Sequence, residues 1–200
     1  GVGQRDRVAT MATNSPALVE VYYACARIGA CFVPLSYRAR PDELAYMLNA
    51  AAVKVAFIDS RYVDLVASVR DQAPALETVV VIDGAPGYAS HADLIERGDD
   101  AEIGVEVDED DATVIIFTSG TTAQPKGVEL TYLNLSAYVM NTMGPADPDQ
   151  PPETTLVSVT VAHIAGVTAI MSSIWGGRTL VLLPQFEAEA WLAAVERERV

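Results

Sequence analysis

Lysine is nearly missing from this chain of 200 residues: of 13 basic residues all but Lys54 and Lys126 are arginine. A lysine in an unusual setting therefore stands out. Cysteine is equally scarce. Cys25 sits in a helical pattern and Cys31 heads an apolar run, which excludes a disulfide framework and points to two buried thiols in a reducing, cytoplasmic setting. Long hydrophobic runs are absent too: the longest apolar region, Leu18 to Leu35, is broken by Glu20 and Arg27 and falls short of the roughly 18 uncharged residues a membrane span requires. Positive charge is in deficit, with 13 basic against 27 acidic residues and a net charge of -14, so a nucleic-acid backbone would be repelled over most of the surface. The start, Gly1-Val2-Gly3-Gln4-Arg5, has neither an initiating Met nor an export signal and reads as truncated. What is present is a folding composition: 50% apolar residues, 20% charged and a mean hydropathy of +0.22 exclude intrinsic disorder.

Short β-branched runs alternate with helix-period segments, the pattern of parallel βα units, so the expected class is α/β with largely parallel sheets flanked by helices. Strands are expected at Val8–Thr13, Phe32–Leu35, Val53–Ile58, Thr78–Ile82, Thr113–Phe117, Thr155–Thr160 and Thr179–Leu183. Ser15 and Pro16 supply an N-cap and first residue for a helix ending near Gly29. Further helices are expected from Pro41 to about Ala51, Arg61 to Gln72, Thr131 to Met143 with a Thr N-cap, Ile164 to Trp175, and Glu187 to Glu198. Eight of the thirteen residues from Asp99 to Asp111 are acidic, a solvated connection that suggests a boundary. The expected division is a first βα subdomain over residues 1–111 and the start of a second over residues 112–200. The proline-rich stretch Gly144 to Pro152 is a long loop. His91 is expected at the surface.

After the buried run at 113–117 comes Phe117-Thr118-Ser119-Gly120-Thr121-Thr122-Ala123-Gln124-Pro125-Lys126-Gly127, with four hydroxyls, two glycines and one of the two lysines, in a loop expected to reach about Leu130. Hydroxyls and amides can surround phosphate oxygens, glycines allow close backbone approach, and the ammonium neutralises charge, so polyphosphate is the natural guest. An ordinary polar turn is the plain alternative. A Walker-type P-loop fails: Gly120 and Lys126 have its spacing, but Pro125 replaces its second glycine and Gly127 its magnesium-binding hydroxyl. Gly1-Val2-Gly3 is no dinucleotide fingerprint, because it precedes a strand.

The ordered string resembles the phosphate-binding signature of the adenylate-forming superfamily, Thr-Ser-Gly-Thr-Thr-Gly, two variable positions interrupted by Pro, then Lys-Gly. Asn14-Ser15, Gly29-Ala30 leading into Val33-Pro34-Leu35, and Thr131 with Asn134 agree with it, and the resemblance covers essentially the whole chain. His163 followed by Gly166 is similar to acyl-CoA and aryl-CoA synthetases rather than to amino-acid-activating domains. The resemblance implies the N-terminal-domain part of an AMP-forming carboxylic acid–CoA ligase using ATP, Mg2+ and CoA with a fatty or aromatic acid. It assigns Thr118, Ser119, Gly120, Thr121, Thr122, Ala123, Gln124 and Lys126 to the triphosphate, Lys126 also to catalysis, and His163 to the acid pocket. It further implies that the magnesium-binding Glu, the ribose-binding Asp and the C-terminal domain lie beyond Val200, so this chain alone is expected to be inactive. Ala123 replaces a usual glycine, at a strain of roughly 1 kcal/mol if φ is positive there; Tyr132 stands for a common His, and Phe117 for a common Tyr. An acyl-AMP ligase serving a carrier protein, or a non-catalytic module of the same fold, is the alternative.

Overall fold

Valine, isoleucine and alanine runs of four to seven residues are too short for helices and too apolar for surface loops, and a sheet covered on both faces accommodates them. The computed structural model describes residues 1–118 and 124–200. Strands β1 (Arg7–Met11), β2 (Cys31–Pro34), β3 (Val53–Ile58), β4 (Thr78–Val81), β5 (Ala89–Ser90), β6 (Ala112–Thr118) and β7 (Lys126–Thr131) form one sheet in the order β5-β4-β3-β1-β2-β6-β7. Its neighbours run parallel except β6 and β7, which form an antiparallel hairpin. A second, parallel pair joins β8 (Thr154–Val157) to β9 (Thr179–Leu182). Parallel neighbours need a crossover. Helices α1 (Pro16–Arg27), α2 (Pro41–Ala50) and α3 (Val63–Val69) supply it in the first sheet, and α6 (Ile164–Trp175) in the second. Helices α4 (His91–Arg97), α5 (Tyr132–Thr142) and α7 (Ala188–Glu198) complete the described elements.

Strand alternation divides the core. Ala9, Met11, Val33, Ile58 and Ile115 face α2 and α3 through Leu44, Leu48, Val66 and Val69. Val8, Phe32, Val114 and Ile116 face Leu18 and Val21 of α1, Leu135 of α5, and Val167 and Ile170 of α6. Each of these side chains larger than alanine contributes about 1.5–3 kcal/mol on burial. Val53 and Val55 fall in opposite halves of the core despite their even spacing, because the β1–β3 register slips between Arg7 and Val8. Helix α1 ends where Gly29 takes φ +71° and the Ala30 amide donates to the Cys25 carbonyl at 2.9 Å; a side chain on Gly29 would meet Gln4 Cγ at 2.9 Å.

Several expectations change. Ser15 occupies the α1 N-cap position with extended backbone, yet its hydroxyl caps nothing and is buried without a partner among the described residues; Pro16 at the first helical position, its φ already fixed, starts the helix. The helix expected over 61–72 is α3 flanked by 3-10 turns at Ser60–Tyr62 and Arg70–Gln72. β5 and α4 add an element pair that the sequence pattern did not reveal. The loop expected to reach Leu130 is shorter, because β7 begins at Lys126. Residues 112–131 add β6 and β7 to the sheet built by residues 7–90. The acidic connection ahead of β6 is irregular but anchored. Arg5 Nη2 donates to Asp111 Oδ1 at 2.8 Å, while the Leu133 and Tyr132 amides donate to the Glu109 and Asp111 carbonyls at 2.9 and 3.2 Å. Two of the amides at the start of α5, which have no partner within the helix, are thus satisfied by the backbone of this connection.

Candidate active site

β6 is buried from Thr113 through Ile116 and then emerges: Phe117 is half-buried and Thr118 exposed. The hairpin register sets Thr118 opposite Lys126 and Phe117 opposite Gly127. The Thr118 hydroxyl donates to the Lys126 carbonyl at 3.4 Å, closing the mouth of the turn. Gly127 lies under the Phe117 ring, since a Cβ there would touch Phe117 Cε1 at 3.4 Å and Ile115 Cγ2 at 3.2 Å. Gln124 and Lys126 are exposed. Ser119, Gly120, Thr121, Thr122 and Ala123 lie outside the described residues. Thr118 and Lys126 thus stand together at the carboxyl end of a parallel strand, the edge where open α/β sheets bind ligands. Lys54, the other lysine, is engaged by Asp6 Oδ2 at 2.8 Å, which holds the Asp6 carboxyl below its usual range; Lys126 forms no ion pair among the described residues.

The same edge carries two polar knots that sequence reasoning missed. Past β1 and β3, the Thr13 amide and hydroxyl donate to Asp59 Oδ2 at 3.1 and 3.2 Å, and Arg61 Nη2 donates to it at 3.0 Å. Next to Thr13, the Asn14 amide reaches across to the turns that leave β8 and β9. Neither knot has a local sequence signal, because Thr13 is 46 positions from Asp59 and Asn14 lies 145 and 169 positions from its carbonyl partners; only Arg61 is a near neighbour of Asp59.

His163 caps α6. Its Nδ1 accepts from the Ala165 amide at 3.2 Å, and its ring is exposed. With Nδ1 accepting, the donor of the neutral ring is Nε2, which has no partner among the described residues. The cap is held by close backbone contact: the His163 amide donates to the Thr160 carbonyl at 3.1 Å, and Gly166 packs on the Thr160–Val161 peptide.

His91, expected at the surface, is mostly buried, with 15% of its side chain exposed. Its Nε2 lies 3.1 Å from Glu20 Oε2, and its ring meets Phe57 edge-on at 6.4 Å between centroids. This pair rims an apolar cleft of about 220 Å³ between α1 and α4, lined by Val8, Val21, Ala24, Cys25, Phe57 and Ile95. None of the expected site residues borders it.

Cys25 and Cys31 are free thiols, and burial pushes both up to about 12. The thiolate is the reactive form. At pH 8 in native protein both cysteines should stay unmodified by iodoacetamide, read by peptide mass spectrometry, while urea-unfolded protein is labelled at both. Unfolded thiols ionise near pH ~8.5 while the folded ones keep their protons, so stability should fall as pH rises from there toward 12.

A family model described as AMP-binding enzyme matches residues 1–200. The chain is 33% identical over 205 residues to an indoleacetate–CoA ligase of Aromatoleum aromaticum, matched along 100% of this chain and 39% of that protein. It is 30% identical over 200 residues to the long-chain-fatty-acid–CoA ligase FadD13 of Mycobacterium tuberculosis, again along 100% of this chain and 39% of the relative. The inhibitor-bound N-terminal domain of FACL13 from Mycobacterium tuberculosis superposes with a TM-score of 0.86 at 27% identity, covering 100% of this chain and 49% of that one. The chain belongs to the AMP-binding enzyme family. It spans about 39% of the length of these curated relatives.

Proposed function

We propose that the protein containing this chain is an AMP-forming carboxylic acid–CoA ligase. A carboxylate attacks the α-phosphorus of ATP, releasing pyrophosphate and leaving an acyl-adenylate; the CoA thiol then displaces AMP and forms the thioester. The observation that carries this reading is the β6–β7 hairpin, which sets the Thr118 hydroxyl beside an exposed Lys126, without an ion pair among the described residues, at the carboxyl edge of the sheet in a chain of the AMP-binding family.

Thr118, Gln124 and Lys126 would flank the triphosphate, and Ser119, Gly120, Thr121, Thr122 and Ala123, outside the described residues, would supply the intervening donors. Charge grows on the pyrophosphate as the bond to the α-phosphorus breaks, and an ammonium fixed in place stabilises it more than it stabilises bound ATP. His163 would meet the acid with its Nε2 proton. Mg2+ would travel with ATP. The described residues offer no group of three or more His, Cys, Asp or Glu side chains to hold it, and Lys126 is the cation that the hairpin sets beside Thr118.

The relatives' names span indoleacetate and long-chain fatty acids, which supports an apolar acid of either kind. The test is acid-dependent exchange of labelled pyrophosphate into ATP by the whole protein, across a panel of aromatic and fatty acids, followed by thioester formation with CoA. Exchange with at least one acid and a CoA thioester as product are expected; exchange with none would refute the reading.

A further inference from the structure

We infer that Asn14 is a positioning residue of the site: one buried amide holds the turn bearing His163 against the sheet bearing Lys126. The inference rests on the functional reading above.

Asn14 follows β1 and is 4% exposed. Its Nδ2 donates to the Val159 carbonyl at 2.9 Å and to the Leu183 carbonyl at 3.1 Å, and its Oδ1 accepts from the Val161 amide at 3.3 Å. Its backbone amide donates to the Pro184 carbonyl at 3.3 Å. The turns after β8 and β9, which belong to the second sheet, are thus both hydrogen-bonded to one residue of the first, beside the apolar packing of Val161.

The tie reaches His163 in two steps. Val159 and Val161 flank Thr160, whose carbonyl receives the His163 amide at 3.1 Å and whose hydroxyl receives the Ala162 amide at 3.2 Å. Only a planar amide of this length offers two donors and an acceptor at these three points. Aspartate keeps the acceptor but would set a charge against two carbonyls, serine brings one donor, and glutamine is a methylene too long. Lys126 does not depend on this tie, because β6 and β7 are held by the first sheet itself. Asn14 therefore governs where the acid meets the nucleotide, and not how the nucleotide is gripped. Reaction rates are sensitive to displacements of about 1 Å in such alignments.

The test uses the whole protein and pyrophosphate exchange, with Asn14→Ser, Asn14→Asp, His163→Ala and the Asn14→Ser/His163→Ala double variant. Asn14→Ser should raise KM for the acid or lower kcat at least tenfold, with KM for ATP within twofold of wild type, and Asn14→Asp should do more. On the His163→Ala background, Asn14→Ser should cost less than threefold, because the residue it positions is gone. Two results would overturn the inference in an active enzyme: effects of Asn14→Ser and His163→Ala that simply multiply, or an Asn14→Ser variant that loses thermal stability alone while its kinetics stay unchanged. So would failure of both Asn14 variants to fold wherever wild type is active, which would make the residue a folding determinant only. Absence of acid-dependent exchange in wild type would instead refute the functional reading, so the two failures are distinguishable.

Discussion

Replacing Lys126 by alanine in the whole protein should slow adenylation by about 30- to 1,000-fold, equivalent to about 2–4 kcal/mol of lost transition-state stabilisation. The size follows from geometry. Lys126 opens β7 directly opposite Thr118, so the strand pairing fixes where the ammonium stem leaves the backbone. It is exposed and forms no ion pair among the described residues, so removal leaves no buried carboxylate behind. The loss should therefore fall on the reaction and leave folding unchanged. Lys126→Arg should recover part of the rate by keeping the charge on a differently shaped head. Pyrophosphate exchange measured against ATP concentration reads the effect. An exchange rate for Lys126→Ala within twofold of wild type, with unaltered KM for ATP, would remove the lysine from the mechanism.

The second large effect concerns stability. A Cβ on Gly166 would lie 2.8 Å from the carbonyl carbon of Thr160 and 2.8 Å from Val161 Cα, and closer still to the Thr160 oxygen. These are backbone atoms, already engaged through the His163 and Val161 amides, so they cannot move aside cheaply. Gly166→Ala should cost about 3 kcal/mol, a fall of about 6–12 °C in Tm for a domain of this size. It should also shift the His163 cap. Gly144→Ala is the matched control, because nothing lies within 4 Å of its Cβ position and its Tm should match wild type. Equal melting of the two variants would show that α6 does not pack on the Thr160–Val161 turn as described.

The parallel βα rhythm was legible because buried strands write themselves as continuous apolar runs. Val53–Ile58 and Ile164–Trp175 have the ends expected from sequence, and the Thr131 cap is there, its hydroxyl accepting the Asn134 amide at 3.1 Å. What escaped has physical reasons. β7 is an edge strand exposed along most of its length, so Lys126–Thr131 carries no apolar run and only the brief alternation of Val128 to Thr131, too short beside the Gly-rich loop to mark a strand without its pairing with β6. β5 has two residues, too few for any periodicity. His91 looked like a surface residue because its partners, Glu20 and Phe57, come from α1 and β3 and leave no trace beside it in sequence.

The site divided along similar lines. The lysine was conspicuous because lysines are so few, and the hydroxyl and glycine string around it carried a recognisable order. Asn14 agreed with the family pattern, but its three side-chain bonds reach 145 to 169 positions along the chain, beyond anything local spacing can encode. His163 shows the converse. The resemblance marked it for the acid pocket, and the structure adds the Nδ1 bond to the Ala165 amide, which leaves Nε2 as the nitrogen that the proposed role would use.

The most direct measurement is a crystal structure of the whole protein with a non-hydrolysable ATP analogue. The triphosphate should lie against the turn between Thr118 and Lys126, with the Lys126 Nζ within about 3 Å of a phosphate oxygen. A triphosphate bound elsewhere, with that turn empty, would contradict the account.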